Sequence, residues 1–132
     1  MSDIGYSLPN LRWSTPKPAA RRKALIGLCN RVQRELGLGD AELSRLLAMS
    51  EKTLQRRKTS GDFDRGEALH LELLGRVIDT AYETFADKES ARSWLSSPVM
   101  SLDKQVPLAL LTTLGGFEKV TNILYRQSHG MF

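Results

Sequence analysis

The residues best suited to do chemistry lie together between Leu43 and Lys58. That stretch reads Leu43-Ser44-Arg45-Leu46-Leu47-Ala48-Met49-Ser50-Glu51-Lys52-Thr53-Leu54-Gln55-Arg56-Arg57-Lys58. Its chemistry is recognition of a polyanion. Ser50 can cap a helix by accepting one of its free N–H groups, and Glu51 complements the positive end of that helix. Glu51, Lys52, Thr53, Gln55 and Arg56 are the candidates to reach DNA, because Gln can pair two-fold with adenine and Arg with guanine. Lys52, Arg57 and Lys58 are expected at phosphates, which position a protein without reading sequence. Ser50 and the helix N-terminus can hold a phosphate as well.

The spacing is that of a helix-turn-helix. Such a unit needs a small residue where its second helix crosses the first, and Ser44 fits. It needs an unobstructed residue at the turn, usually Gly, and Ala48 departs from that. Leu43, Leu47, Met49 and Leu54 supply the apolar anchors before, within and after the turn. The position three after Leu54 is commonly apolar but here is Arg57, so its aliphatic stem must serve there or the packing must differ. An ordinary helical hairpin is the bland alternative.

Nothing else in the chain assembles a catalytic group, and no enzyme is expected. Cys29 falls on an apolar stripe and reads as a core residue. His70 and His129 are far apart in sequence. His70 lies within the apolar arc of a long helix and reads as a satisfied, buried or interfacial side chain. Ser128-His129 has no organised acidic partner and reads as a frayed helix end. There is no Gly-rich phosphate loop. A single cysteine excludes an internal disulfide framework and a cysteine-based zinc site, so neither metal nor cofactor is expected.

The elements that must position Leu43–Lys58 are all helical. Residues 1–18 contain Pro9, Pro16 and Pro18 with no period and read as a mobile arm, although Tyr6, Leu8, Leu11 and Trp13 would pack on the body or on a partner. From Pro18, Leu25, Leu28, Cys29, Val32 and Leu36 repeat at helical spacing until Gly37 and Gly39. Asp40 is expected to cap a helix over 41–47, and Ser50 one over 51–59, with Gly61 closing the unit. A long helix over 65–86 carries apolar residues from Leu69 to Phe85 over about 220°, wider than the roughly 100° stripe of a surface helix. It must therefore be covered from several sides, by its own domain or by a second copy. Asp87 caps a helix over 88–95, and 97–105 reads as a loop. Pro107 opens a helix over 107–114, Gly115-Gly116 forms a corner, and a last helix runs over 117–127 until Gly130. No strand signal and no repeat is present. The fold class is all-α, organised as an arm (1–18), a helix-turn-helix DNA-binding domain (19–63) and a helical dimerisation and partner-binding domain (64–132).

Composition agrees. The 132 residues carry 19 Lys+Arg, 15 Asp+Glu and a net charge of +4, with 41% apolar residues, so one domain or two very small ones can bury a core. The charge is divided: residues 1–61 carry a balance of +7 and residues 62–132 a balance of −3. A basic half suits a polyanion; a mildly acidic, apolar-rich half suits something else. No apolar run approaches the roughly 18 residues of a membrane span. The N-terminus lacks a signal-peptide pattern, so a cytoplasmic address is expected.

The chain also resembles a known family. The segment S-E-K-T-L-Q-R-R-K after L-S-R-L-L-A is similar to the Xre/MbcA/ParS antitoxins, the Xre half of RES–Xre toxin–antitoxin pairs. The likeness continues through A-Y-E-T-F-A-D, E-S-A-R-S-W-L, an S-P loop, V-P-L-A-L-L-T-T and the ending R-Q-S-H-G-M-F. It covers about residues 40–132. The family's A-x-x-W-L element matches Ala91–Leu95, its P-x-x-L-L element Pro107–Leu111, and its ending of Gly, apolar and aromatic residues Gly130, Met131 and Phe132. The resemblance implies an antitoxin whose N-terminal domain binds the operator DNA of its own operon. Its C-terminal domain would form a homodimer and bind a RES-type toxin, a fold similar to ADP-ribosyltransferases that consumes NAD. Gly130, Met131 and Phe132 are the candidate toxin-binding residues. The tail's aromatic ring would enter an apolar subsite and its carboxylate would meet groups that hold phosphate; the alternative is that the tail finishes the core. A stand-alone helix-turn-helix regulator without a toxin is the competing function, and a protein adaptor that has lost DNA binding is a third. The long apolar region after Phe63 disfavours the former, and the lack of acidic residues over 52–58 disfavours the latter.

Overall fold

The computed structural model describes residues 18–130, and every regular element among them is a helix. α1 (Pro18–Leu36) starts on a proline, which fits the first helical position because its missing N–H would have no partner there. α2 (Asp40–Leu46) and α3 (Glu51–Ser60) follow. α4 (Arg65–Thr84) opens with a reciprocal cap: the Glu67 N–H donates to Asp64 Oδ1 (2.8 Å) and the Asp64 N–H to Glu67 Oε1 (2.9 Å). α5 (Lys88–Ser96) is capped by Asp87, which accepts from the Ser90 N–H at 2.7 Å. A 3₁₀ turn (Met100–Leu102) lies within the expected loop. α6 (Pro107–Leu110) and α7 (Leu114–Ser128) complete the chain.

Two local expectations need correction. Asp40 does not cap α2; it is the first helical residue. The cap is Gly39, whose N–H donates to Glu42 Oε1 at 2.7 Å, which leaves the Asp40 carboxylate free for other partners. Gly115-Gly116 is likewise no corner. The turn falls at Leu111–Thr113, and both glycines lie in the first turn of α7, capped by Thr113, whose Oγ1 accepts from the Gly116 N–H at 3.0 Å. Gly116 is glycine because α7 there lies against α6: a Cβ would sit 1.6 Å from the Leu110 carbonyl oxygen.

Helices as short as α2 and α6 do not persist alone, so packing must hold them. The core provides it. α4 is central, with α1 on one side and α5 and α7 on others. Leu71, Leu74 and Ile78 of α4 are fully buried, together with Cys29 and Val32 of α1, Leu43, Leu54, Leu95, Leu111 and Leu124. At about 2 kcal/mol per fully buried leucine, this core outweighs any single cap. The wide apolar arc of α4 is therefore covered largely from within the chain; Leu69, 54% exposed, is its main uncovered member.

α1 is tied to α4 and α5 by a polar clamp. Glu35 accepts hydrogen bonds from the Tyr82 hydroxyl and from Arg92 Nη2 (3.3 Å). The Tyr82 hydroxyl, with help from Arg92, lowers the Glu35 carboxyl from its ordinary 4.5 to about 2 against the opposing effect of burial. Arg31 of α1 pairs with Asp79 of α4 as a second tie.

Candidate functional site

The turn between α2 and α3 is built as the spacing requires. Ser44 is buried, and its hydroxyl donates back to the Ala41 carbonyl at 2.8 Å, so no polar group is stranded beneath α3. Ala48 carries the turn in the left-handed region, φ +57, where glycine is the usual occupant. The Met49 N–H returns to the Ser44 carbonyl at 2.9 Å. Ser50 then caps α3, its Oγ accepting from the Thr53 N–H at 3.1 Å. Leu54 is fully buried and fixes the rotation of α3.

That rotation sorts the candidate residues. Glu51, Lys52, Gln55 and Arg56 are exposed. Thr53 is half-buried, and its Oγ1 accepts from the Ser50 hydroxyl (3.0 Å) and from Arg56 Nη2 (3.4 Å). Lys52, Gln55, Arg56, Arg57 and Thr59 border a shallow open groove that reaches Asp62. Arg22 of α1 reaches Asp62 at 3.8 Å and so stands at the end of this groove. The sequence reading omitted Arg22; the signal available was the run Arg21-Arg22-Lys23 in the basic half. Gly61, φ +77, permits this approach, since a Cβ there would lie 2.6 Å from Arg22.

Arg57 and Lys58, expected at phosphates, each pair with an acid of the chain in the absence of DNA. Arg57 donates from Nε to Glu67 Oε1 (2.8 Å) and from Nη2 to Glu67 Oε2 (3.4 Å), a two-fold pair to the capping residue of α4. That pair is how the departure from an apolar residue at Arg57 is accommodated. Lys58 Nζ donates to Asp40 Oδ1 at 2.9 Å, where Gln33 Nε2 also donates at 2.9 Å. Lys58 first, then Gln33, holds the Asp40 carboxyl below its usual range. Both cations brace the far end of α3 against α4 and α2.

The remaining chemical candidates are structural. Cys29 is fully buried, and burial pushes its thiol up to about 11. His70 Nε2 lies 2.8 Å from the Leu111 carbonyl oxygen and its ring meets Phe117 edge-on, 5.6 Å between centroids. At the end of α7 the His129 ring stacks on Tyr125 at 4.0 Å, and Ser128 Oγ donates to the Tyr125 carbonyl at 3.0 Å. Gly130, φ +63, turns the chain off α7. Met131 and Phe132, like most of the 1–18 arm, lie outside the described residues. Among the described residues no cluster of His, Cys, Asp or Glu could hold a metal ion, and no helix is long and apolar enough to cross a membrane.

Comparison with known proteins places two family models on the chain. Residues 16–78 match an antitoxin Xre-like helix-turn-helix domain, and residues 80–130 an antitoxin Xre/MbcA/ParS C-terminal toxin-binding domain. The two matches meet inside α4. An "Antitoxin Xre" of Yersinia enterocolitica is 34% identical over 94 residues, 70% of this chain and 64% of that protein, so the match spans less than two thirds of the relative. A second "Antitoxin Xre", from Photorhabdus laumondii, is 26% identical over 108 residues, 80% of this chain and 73% of the relative. A chain in the crystal structure of the M. tuberculosis MbcT-MbcA toxin-antitoxin complex shares the fold, with a TM-score of 0.64 at 22% identity, covering 82% of this chain and 96% of its own.

Proposed function

The chain belongs to the Xre/MbcA/ParS antitoxin family, and from that premise we propose that it neutralises a RES-type, NAD-consuming toxin and represses its own operon by binding operator DNA. The supporting observation is a conjunction in one chain: a helix-turn-helix whose capped second helix exposes Lys52, Gln55 and Arg56, and a toxin-binding family domain joined to it through α4. It acts by occlusion in the cytoplasm and catalyses nothing itself.

On the DNA side, α3 enters the major groove with its N-terminal half leading. Gln55 and Arg56 read base edges, Thr53 holds Arg56, and Lys52 and the Ser50-capped helix end meet phosphate. Glu51 sits in the first turn, where it favours the helix and can accept from the amino group of a base edge. Arg57 and Lys58 keep α3 seated through Glu67 and Asp40, and Arg22 adds a phosphate contact at the groove end. Residues 19–63 form the DNA-binding part and 64–132 the part that dimerises and binds toxin. The exposed apolar side chains available to that second part include Met100 and Tyr125. A homodimer presents two α3 helices to two half-sites.

On the toxin side, the residues that occlude the toxin's NAD cleft are Gly130, Met131 and Phe132. Ordering a short tail costs entropy, so a preformed apolar pocket must receive the aromatic ring.

The test is expression of the neighbouring candidate RES gene alone and with this chain, reading growth and cellular NAD. NAD collapse that this chain reverses is the expected result. A chain that binds the upstream DNA but leaves NAD loss unchanged is a regulator without that toxin.

A further inference from the structure

An apolar groove runs along the outer edge of α4. It begins beside the first turn of α1, where Arg21, Arg65, Leu69 and Glu72 border it, and continues past Leu69 to Leu73 and Leu114. Leu69 is 54% and Leu114 69% exposed, an unusual pair of apolar side chains to leave on one strip. The described chain enters α1 at Pro18, one helical turn from Arg21. Seventeen residues precede it, with Tyr6, Leu8, Leu11 and Trp13 among them.

We propose that this groove is the docking site of the chain's own segment 8–13, with Leu11 and Trp13 as its anchors. Reach permits it. Trp13 lies five residues and Leu11 seven residues before Pro18, and extended chain covers about 3.4 Å per residue, so they extend roughly 17 and 24 Å. Leu69 and Leu73 are one helical turn apart, about 6 Å, well within that span. Charge and shape agree. Arg21 and Arg65 flank the near end, where a guanidinium can lie over an indole face. Arg12, next to Leu11 in the sequence, carries the charge that complements Glu72 at the rim. The three prolines of residues 1–18 reduce the entropy lost on docking.

A second copy of the chain is the competing occupant. The three leucines of this strip are a small part of the roughly 800 Å² per partner that a stable dimer buries. A tethered segment, by contrast, acts at an effective concentration of about millimolar. Docking of the segment excludes any other partner from this face of α4, independently of the toxin and DNA assignments.

The experiment uses the full-length chain labelled with 5-fluorotryptophan. It gives two fluorine resonances, for Trp13 and Trp94, assigned by the variant Trp13→Phe. The expected result is a Trp13 resonance displaced from that of the free amino acid, with a small shift between light and heavy water, both unchanged on dilution. Leu69→Ser should return it to the solvated position while the Trp94 resonance, shielded against Phe85, stays. Leu114→Asp should do the same through an independent position, at the start of α7 where an acid favours the helix. A solvated Trp13 in the native chain overturns the proposal, as does a shielded Trp13 that neither substitution moves. Shielding that disappears on dilution assigns the groove to a second copy and overturns it equally.

Discussion

The α2–α3 corner and the α6–α7 corner both set two helices close together, and they do so by opposite means. At the first, backbone is bent: Ala48 takes a left-handed conformation, Ser44 is buried under the crossing, and Ser50 caps α3. At the second no residue has a positive φ. Instead Gly116 removes a side chain so that α7 can lie against the Leu110 carbonyl, and Thr113 caps α7. The first corner leaves the opening turn of its second helix exposed. The second buries Gly116 and Phe117 there. The first offers a capped helix end with charged and polar side chains to a ligand; the second is a packing joint whose opening turn leaves the apolar Leu114 outward.

The sharpest way to break this contrast is Gly116→Ala. A Cβ 1.6 Å from a backbone oxygen cannot be accommodated by a side-chain shift, so α7 must move off α6. The expected loss is about 3 kcal/mol or more in urea unfolding. A variant as stable as the parent would show that the joint is loose.

Deleting Met131 and Phe132 is expected to act on function alone. Toxin-dependent NAD loss should go unopposed while the melting temperature, dimerisation and DNA binding of the truncated chain hold. Full protection by the truncated chain rejects the tail as the occluding element, and a large fall in melting temperature assigns it to the core.

Within α3 the two halves should separate in the same way. Arg56→Ala should cost about 1–3 kcal/mol of DNA affinity and relax one operator position. Lys52→Ala should weaken binding to all sequences and reduce the salt slope by about 0.9. Both variants should melt as the parent does. Arg57→Ala should lower the melting temperature, because Glu67 loses its two-fold partner. A thermally neutral Arg57→Ala with a reduced salt slope would return Arg57 to the phosphates.

How far these roles could be read in the sequence depended on range. Ser50, Asp87 and Pro107 act within three residues of their own position, and their roles were legible from local chemistry. So was Cys29, because an apolar stripe at helical spacing reports burial. Asp40 looked like a cap of the same kind, but Gly39 and Glu42 supplied that cap and Asp40 answered Lys58, eighteen residues on. The acids that pair with Arg57 and Lys58, Glu67 and Asp40, are distant in sequence, so local chemistry showed only their suitability for phosphate. Gly115-Gly116 read as a corner because glycine marks both turns and close crossings, and only the position of Leu110 decides between them.

Acid should loosen the clamp that ties α1 to α4 and α5. The folded Glu35 carboxyl sits near 2, below its ordinary 4.5, so its contribution is complete above pH 4.5 and is lost as pH falls from 4.5 toward 2. Glu35→Gln should therefore flatten the fall in melting temperature across that window. An unchanged acid limb would place the sensitivity elsewhere, for example at Asp40 or Asp87, whose carboxyls are also lowered.

The smallest expected effect is at Ala48, and its sign is informative. A left-handed conformation costs a residue with a Cβ roughly 1–2 kcal/mol, and glycine escapes that cost. Glycine also gains freedom in the unfolded chain, which offsets about 0.5–1 kcal/mol. The Ala48 side chain is exposed, so its removal empties no core space. Ala48→Gly should then stabilise the chain by about 0.5 kcal/mol, read as a higher urea midpoint at constant slope. DNA affinity should not change, because Ser50, Lys52, Gln55 and Arg56 are positioned by Leu54 and the α3 cap. A variant that is more stable but binds DNA less tightly would mean that the strained turn also sets the angle at which α3 is presented. The bend at the first corner would then be part of the reading surface, which the joint at Gly116 is not.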